Sequence, residues 1–151
     1  MASIYKDIPI DAPADHVWDA LRDFGALHTR LAPGFVTDTQ LNGDVRTVTF
    51  ANGTVAHETL VDCDDKRQRL VYAITSERLK QHSASAQVFA EGDGRCRMVW
   101  IADVLPHEVA PYMDAQMDLV SKGRRPSCLR ERTPKHRGRR SFEARFARTS
   151  G

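Results

Sequence analysis

The chain has 151 residues, 41% of them hydrophobic, and a formal net charge of +2. That length suits one domain with a sizeable core, and no apolar run is long enough to span a bilayer. The charge is uneven: residues 1–120 carry 11 Lys/Arg against 18 Asp/Glu and residues 121–151 carry 11 against 2, so the body is acidic and lacks the basic patch that nucleic-acid binding needs.

The N-terminal stretch "MASIYKDIPIDAP" has no apolar signal core and no Arg-rich presequence, which predicts a cytoplasmic protein. Ser3 to Ile10 alternates, with Ile4, Ile8 and Ile10 on one side, and reads as a strand. A helix follows over "APADHVWDALRDFG". Pro13 suits a first turn, Asp15 favours the positive helix N-terminus, and Gly25 is a stop. Val17, Ala20, Leu21 and Phe24 share a face. A second short helix fits "ALHTRLA", ended by Pro33-Gly34.

From Phe35 to about Leu105 the period is two. Strands are predicted near 35–41, 44–50, 54–63, 69–76, 82–90 and 95–105. Asn42-Gly43, Asn52-Gly53, Asp64-Asp65-Lys66 and Gly92-Asp93-Gly94 supply the turns, so the strands form consecutive antiparallel hairpins. After Pro106 the helical period returns. Val109, Met113, Met117 and Val120 share a face, and Pro111 places the start of the regular helix at about that residue. This helix is the one element long enough to cover the apolar face of the sheet, and the space between them is a natural ligand pocket.

"PIDAPADHVWDALRDFGALHTRLAPG", "HETLVDCDDKRQRLVYAI" and "CRMVWIADV" together resemble the START-like, Bet v 1-like (SRPBCC) superfamily. Within it the likeness is to the bacterial polyketide cyclase/dehydrase and lipid-transport group, and it covers about residues 3–120. The resemblance implies an α+β helix-grip fold. A seven-stranded antiparallel sheet would curve around a C-terminal helix, with two short helices between strands 1 and 2. It also implies a small hydrophobic ligand in an apolar cavity, no metal and no tightly bound cofactor; the chain is expected to be a monomer or homodimer.

Alternation then sorts the strands into faces. His82, Ala84, Ala86 and Val88 share one face; so do Met98, Trp100, Ala102 and Val104, and Leu70, Tyr72 and Ile74. In 54–63 the more apolar set is Val55, Thr59 and Val61, with His57 among them; Glu58 faces the other way, beneath the helices or toward solvent, and its ordinary reading is a salt bridge to an Arg of a neighbouring strand. Aldol-type cyclisation needs a base and donors for a developing enolate oxygen. His57 and His82 are the candidate bases, because histidine titrates near neutral pH. Tyr72, Trp100 and Arg78 are candidate donors, and Met98, Val88, Met113 and Met117 are candidate apolar ligand contacts. The ordinary alternative for each histidine is a hydrogen bond to backbone or water. Trp18 and Trp100 read most simply as packing residues, and His16 and His28 as surface residues.

No nucleophile motif, phosphate loop or metal motif occurs. Cys63, Cys96 and Cys128 are odd in number and far apart, which argues against a disulfide framework and against metal-ligand spacing. Three functions stay open. One is ligand binding with cyclisation or dehydration, as a lyase or isomerase. The second is a non-catalytic carrier or sensor for a lipid-like molecule. The third is polyanion binding by the basic segment, salt-dependent and without sequence specificity.

That segment, 123–151, is expected to be disordered. The helical segment before it covers at most about 17 residues, or ~25 Å. Composition and charge sign then change together, as in translation of a shifted reading frame. Reading the gene in its other two frames tests this: if neither continues an amphipathic helix, the idea is wrong.

Overall fold

The computed structural model describes residues 1–122. Strand β1 (Ala2–Ile10) leads into α1 (Ala14–Arg22), a 3-10 turn (Phe24–Ala26) and α2 (Leu27–Arg30). Six strands follow: β2 (Val36–Asn42), β3 (Val45–Phe50), β4 (Val55–Asp64), β5 (Arg69–Thr75), β6 (Gln81–Ala90) and β7 (Cys96–Leu105). A second 3-10 turn (His107–Val109) opens α3 (Ala110–Lys122). Pro111 sits in the first turn of α3, where its missing N–H costs nothing. All seven strands pair antiparallel in the order β1-β7-β6-β5-β4-β3-β2. This is the expected α+β helix-grip fold.

Five successive hairpins build β2 to β7. At the β2–β3 turn Gly43 has φ +61, a left-handed conformation that glycine adopts without penalty. β1 then returns to pair with β7, from Ala2↔Val104 to Ile10↔Cys96, so the first and second strands of the chain form opposite edges of the sheet.

Two helical layers cover the inner face. α1 buries Val17, Trp18, Ala20 and Leu21, a helical spacing, and packs against β6. The small Ala84 and Ala86 of β6 lie in the same core cluster, with Val88, Leu70, Tyr72 and Ile10. Trp18 is a core residue with its indole Nε1 donating to Asp65 Oδ1 at 2.9 Å. α3 rests against β1, where Lys6 Nζ reaches Asp114 Oδ1 at 2.7 Å and Asp118 Oδ1 at 2.8 Å.

One strand faces the opposite way from its apolar count. On β4, Ala56 and Glu58 are buried, whereas Val55 is 52% and Val61 62% exposed. His57 is exposed, its Nδ1 3.2 Å from the Thr47 hydroxyl on the outer surface. The cause is the register with β3: Arg46 pairs with Glu58 and Val48 with Ala56. A carboxylate goes inside when an inward arginine meets it. Val61 keeps the outward parity of Val55 and His57, and a β-bulge between Leu60 and Asp62 ends the regular alternation there.

The basic segment 123–151, Cys128, and the expectations of disorder or a shifted frame lie outside the described residues.

Candidate functional site

Between α3 and the inner face of the sheet lies a cavity of about 110 Å³. β5, β6 and β7 contribute Tyr72, Ile74, His82, Trp100 and Ala102; β3 and β4 contribute Arg46, Phe50 and Glu58. Met113, Gln116, Met117 and Val120 of α3 form the opposite wall. Ala32, Phe35 and Val120 also line a separate, more open groove of about 390 Å³, bordered by Leu31, Pro33, Gly34 and Leu119.

The register places the polar side chains. His82 and Tyr72 sit on the inward parity of β6 and β5, and Trp100 sits opposite Ala86 on β7. Trp100 Nε1 donates to the Tyr72 hydroxyl oxygen at 3.1 Å. The Tyr72 and His82 rings are 6.0 Å apart between centroids. Burial, and after it the Glu58 carboxylate, push the Tyr72 hydroxyl pKa up, so the group stays a neutral O–H.

His82 is only 6% exposed. Its Nδ1 accepts the Ile74 backbone N–H at 3.1 Å, which leaves the proton of the neutral ring on Nε2. Burial pushes its pKa down to about 4, with Asp103 pulling weakly the other way. At neutral pH His82 is therefore an uncharged donor rather than a ready base.

Arg46 and Glu58 are both 4% exposed and form a buried pair, with Arg46 Nε donating to Glu58 Oε2 at 2.7 Å. The guanidinium also donates to the Phe24 carbonyl at 3.1 Å and lies over the Phe24 ring, 3.9 Å from its centroid.

Of the candidate residues, the fold brings His82, Tyr72, Trp100, Met113 and Met117 to one cavity. Val88 and Met98 belong to the packed core and do not line it. His57 lies on the outer face, for the register reason given above. Arg78 is exposed in the β5–β6 connection, beyond the paired part of β5, with its backbone N–H on Ser76 Oγ at 3.1 Å. Its strand ends at Thr75, so no inward parity reaches it. Sequence reasoning missed Arg46 and Gln116. The signal for Arg46 was present: counting back from the Asn52-Gly53 turn sets it opposite Glu58. Gln116 interrupts the α3 apolar stripe one residue before Met117, and a stripe count passes over it.

Among the described residues no group of three His, Cys, Asp or Glu side chains is placed to hold a metal, and no helix is long and apolar enough to cross a membrane.

The fold is shared with solved proteins. A Thermobifida fusca protein solved in solution is 26% identical, with TM-score 0.64, over 80% of this chain and 85% of that one. A START superfamily protein from Mycobacterium smegmatis is 12% identical, with TM-score 0.63, over 82% and 96%. Norcoclaurine synthase from Thalictrum flavum, in complex with dopamine and hydroxybenzaldehyde, is 18% identical, with TM-score 0.57, over 80% and 84%. No curated protein matches the chain. The model of one family, polyketide cyclase / dehydrase and lipid transport, matches residues 1–123, which takes in every described strand and helix; the chain belongs to that family.

Proposed function

We propose that the protein binds a small hydrophobic, polyketide- or lipid-like ligand in the cavity under α3, with a ligand oxygen held by His82 Nε2–H and the Tyr72 hydroxyl. The observation that carries this reading is the state of His82. Its Nδ1 is occupied by the Ile74 N–H, so its one free polar atom is a donor on the cavity wall. Tyr72 accepts from Trp100 and keeps its own proton to give. Two neutral donors in an apolar enclosure fix the orientation of a carbonyl or ether oxygen. Carriage or sensing needs no more than this.

A second reading is catalysis of cyclisation or dehydration, as a lyase or isomerase. It is favoured by Glu58, a carboxylate lining the same cavity as the donor pair. A buried neutral histidine polarises a carbonyl, and a carboxylate takes the neighbouring proton. Glu58 must first loosen its bonds to Arg46. That a norcoclaurine synthase of this fold holds dopamine and hydroxybenzaldehyde supports small aromatic guests.

Native mass spectrometry of protein purified from its own source tests the first reading. The expected result is a co-purified small hydrophobic molecule, absent from His82→Leu. Protein that carries nothing, and whose unfolding temperature no hydrophobic carbonyl compound raises, overturns it. For the second reading, turnover of a polyketide-like ketone should vanish in Glu58→Gln while binding persists. Turnover that survives in Glu58→Gln, or is absent in the native protein, leaves carriage.

A further inference from the structure

Gln116 is a polar residue at a core-facing position. It stands in the α3 wall with Met113, Met117 and Val120. A leucine there would extend the apolar stripe. Its side-chain amide has no hydrogen-bond partner among the described residues, whereas most polar groups around it are spoken for. Arg46 binds Glu58 and the Phe24 carbonyl, Trp100 Nε1 binds Tyr72, and His82 Nδ1 binds Ile74. Three groups stay available: Gln116 on the helix wall, and His82 Nε2–H and Tyr72 O–H on the sheet wall. Gln116 is only partly buried and its amide is not cut off from water, so a polar group of a ligand in the cavity takes over the hydrogen bonds that water otherwise makes to it.

Charge narrows what that something is. Arg46 and Glu58 neutralise one another inside the wall. No unpaired charge among the lining residues is left to meet an ionised ligand, and burying a lone charge is prohibitive. Size narrows it further. A cavity of about 110 Å³ is smaller than the about 150 Å³ that takes a benzene, so it admits no more than one ring.

We propose that Gln116 is a specificity-determining residue, and that the site selects an uncharged one-ring molecule with polar groups at two ends, an oxygen against His82 and Tyr72 and a hydroxyl or carbonyl against Gln116. This rests on the cavity being the ligand site.

Titration calorimetry of the full chain with four probes tests it, at a pH where phenols are neutral. The probes are 4-hydroxyacetophenone, acetophenone, ethylbenzene and 4-acetylbenzoate. The expected order is 4-hydroxyacetophenone tightest, then acetophenone, then ethylbenzene, with 4-acetylbenzoate weaker than acetophenone. Gln116→Leu should lower the affinity for 4-hydroxyacetophenone relative to acetophenone by about five-fold or more. Gln116→Met should do the same, and thermal unfolding of both variants checks that they fold. If both variants keep the preference for the second hydroxyl, or if 4-acetylbenzoate binds as tightly as 4-hydroxyacetophenone, the inference is overturned. If ethylbenzene binds as well as 4-hydroxyacetophenone, it falls while the cavity reading stands. If no probe binds the native chain, both fall.

Discussion

Arg46 ties the cavity wall to the segment after α1: it pairs with Glu58 on β4, donates to the Phe24 carbonyl and lies over the Phe24 ring. Removing it strands a buried carboxylate. Arg46→Met should lower stability by about 3–5 kcal/mol, and Arg46→Met with Glu58→Leu should recover most of that, because the pair itself gains little over well-packed apolar residues. Urea unfolding of the three variants checks this; a double variant as unstable as the single would show that the arginine acts through packing on Phe24. His82 gives a pH dependence. Its folded pKa, pushed down to about 4, lies below the ordinary value of 6.5. Between those values the unfolded chain takes up a proton that the folded chain refuses. The neutral ring's contribution is thus whole above pH 6.5, shrinks as pH falls, and is gone below about 4, with an upper bound of about 3 kcal/mol. Carboxylates titrate nearby, so the measurement is a difference. By urea unfolding, the stability of the native protein relative to His82→Phe should be constant above pH 6.5 and fall as pH drops toward 4.

At the scale of elements, α3 forms the wall opposite the sheet. It rests on the edge strand β1, and Lys6 holds two of its residues four apart, Asp114 and Asp118. Those hydrogen bonds raise the Lys6 pKa, although burial opposes them. Exposed ion pairs add little to global stability, so Lys6→Met should show its effect locally. Amide exchange should quicken in α3 while the β5–β7 strands keep their rates; equal protection in both proteins would mean that apolar contacts alone seat the helix. The hairpins offer a second test. Gly43 has φ +61, so Gly43→Ala should cost about 1 kcal/mol in thermal or urea unfolding. Gly94, with open space around its Cβ position and no left-handed φ, should accept alanine at no cost.

For the whole molecule, the family match ends at residue 123 and the described fold at Lys122, so every described element of the pocket lies in the acidic body. A chain ending after Lys122 is expected to bind the same ligand with the same affinity. Calorimetry on both lengths checks it, and a clear loss in the short chain would bring the basic segment into the site. The order of elements is legible in the residues themselves, because Asn-Gly turns and a period of two leave one antiparallel reading. Three of the four inward strand faces are legible as well, since Tyr72, His82 and Trp100 each sit among apolar residues of their own parity. β4 is not, because Glu58 looks like a surface residue until Arg46 is placed across from it. Arg78 and His57 fail for a related reason: parity says nothing about where a strand ends or which face its partner demands.

By itself, then, the sequence determined the local elements, their antiparallel order and most of the apolar inner face, all of which depend on neighbours within a few residues. Only the tertiary structure decided which polar groups share the cavity. Cross-strand register buried Arg46 with Glu58, the Ile74 N–H made His82 a donor, and the docking of α3 on β1 brought Gln116 across from both. Each of those outcomes depends on a partner distant along the chain, and hydrophobic period carries no record of such partners.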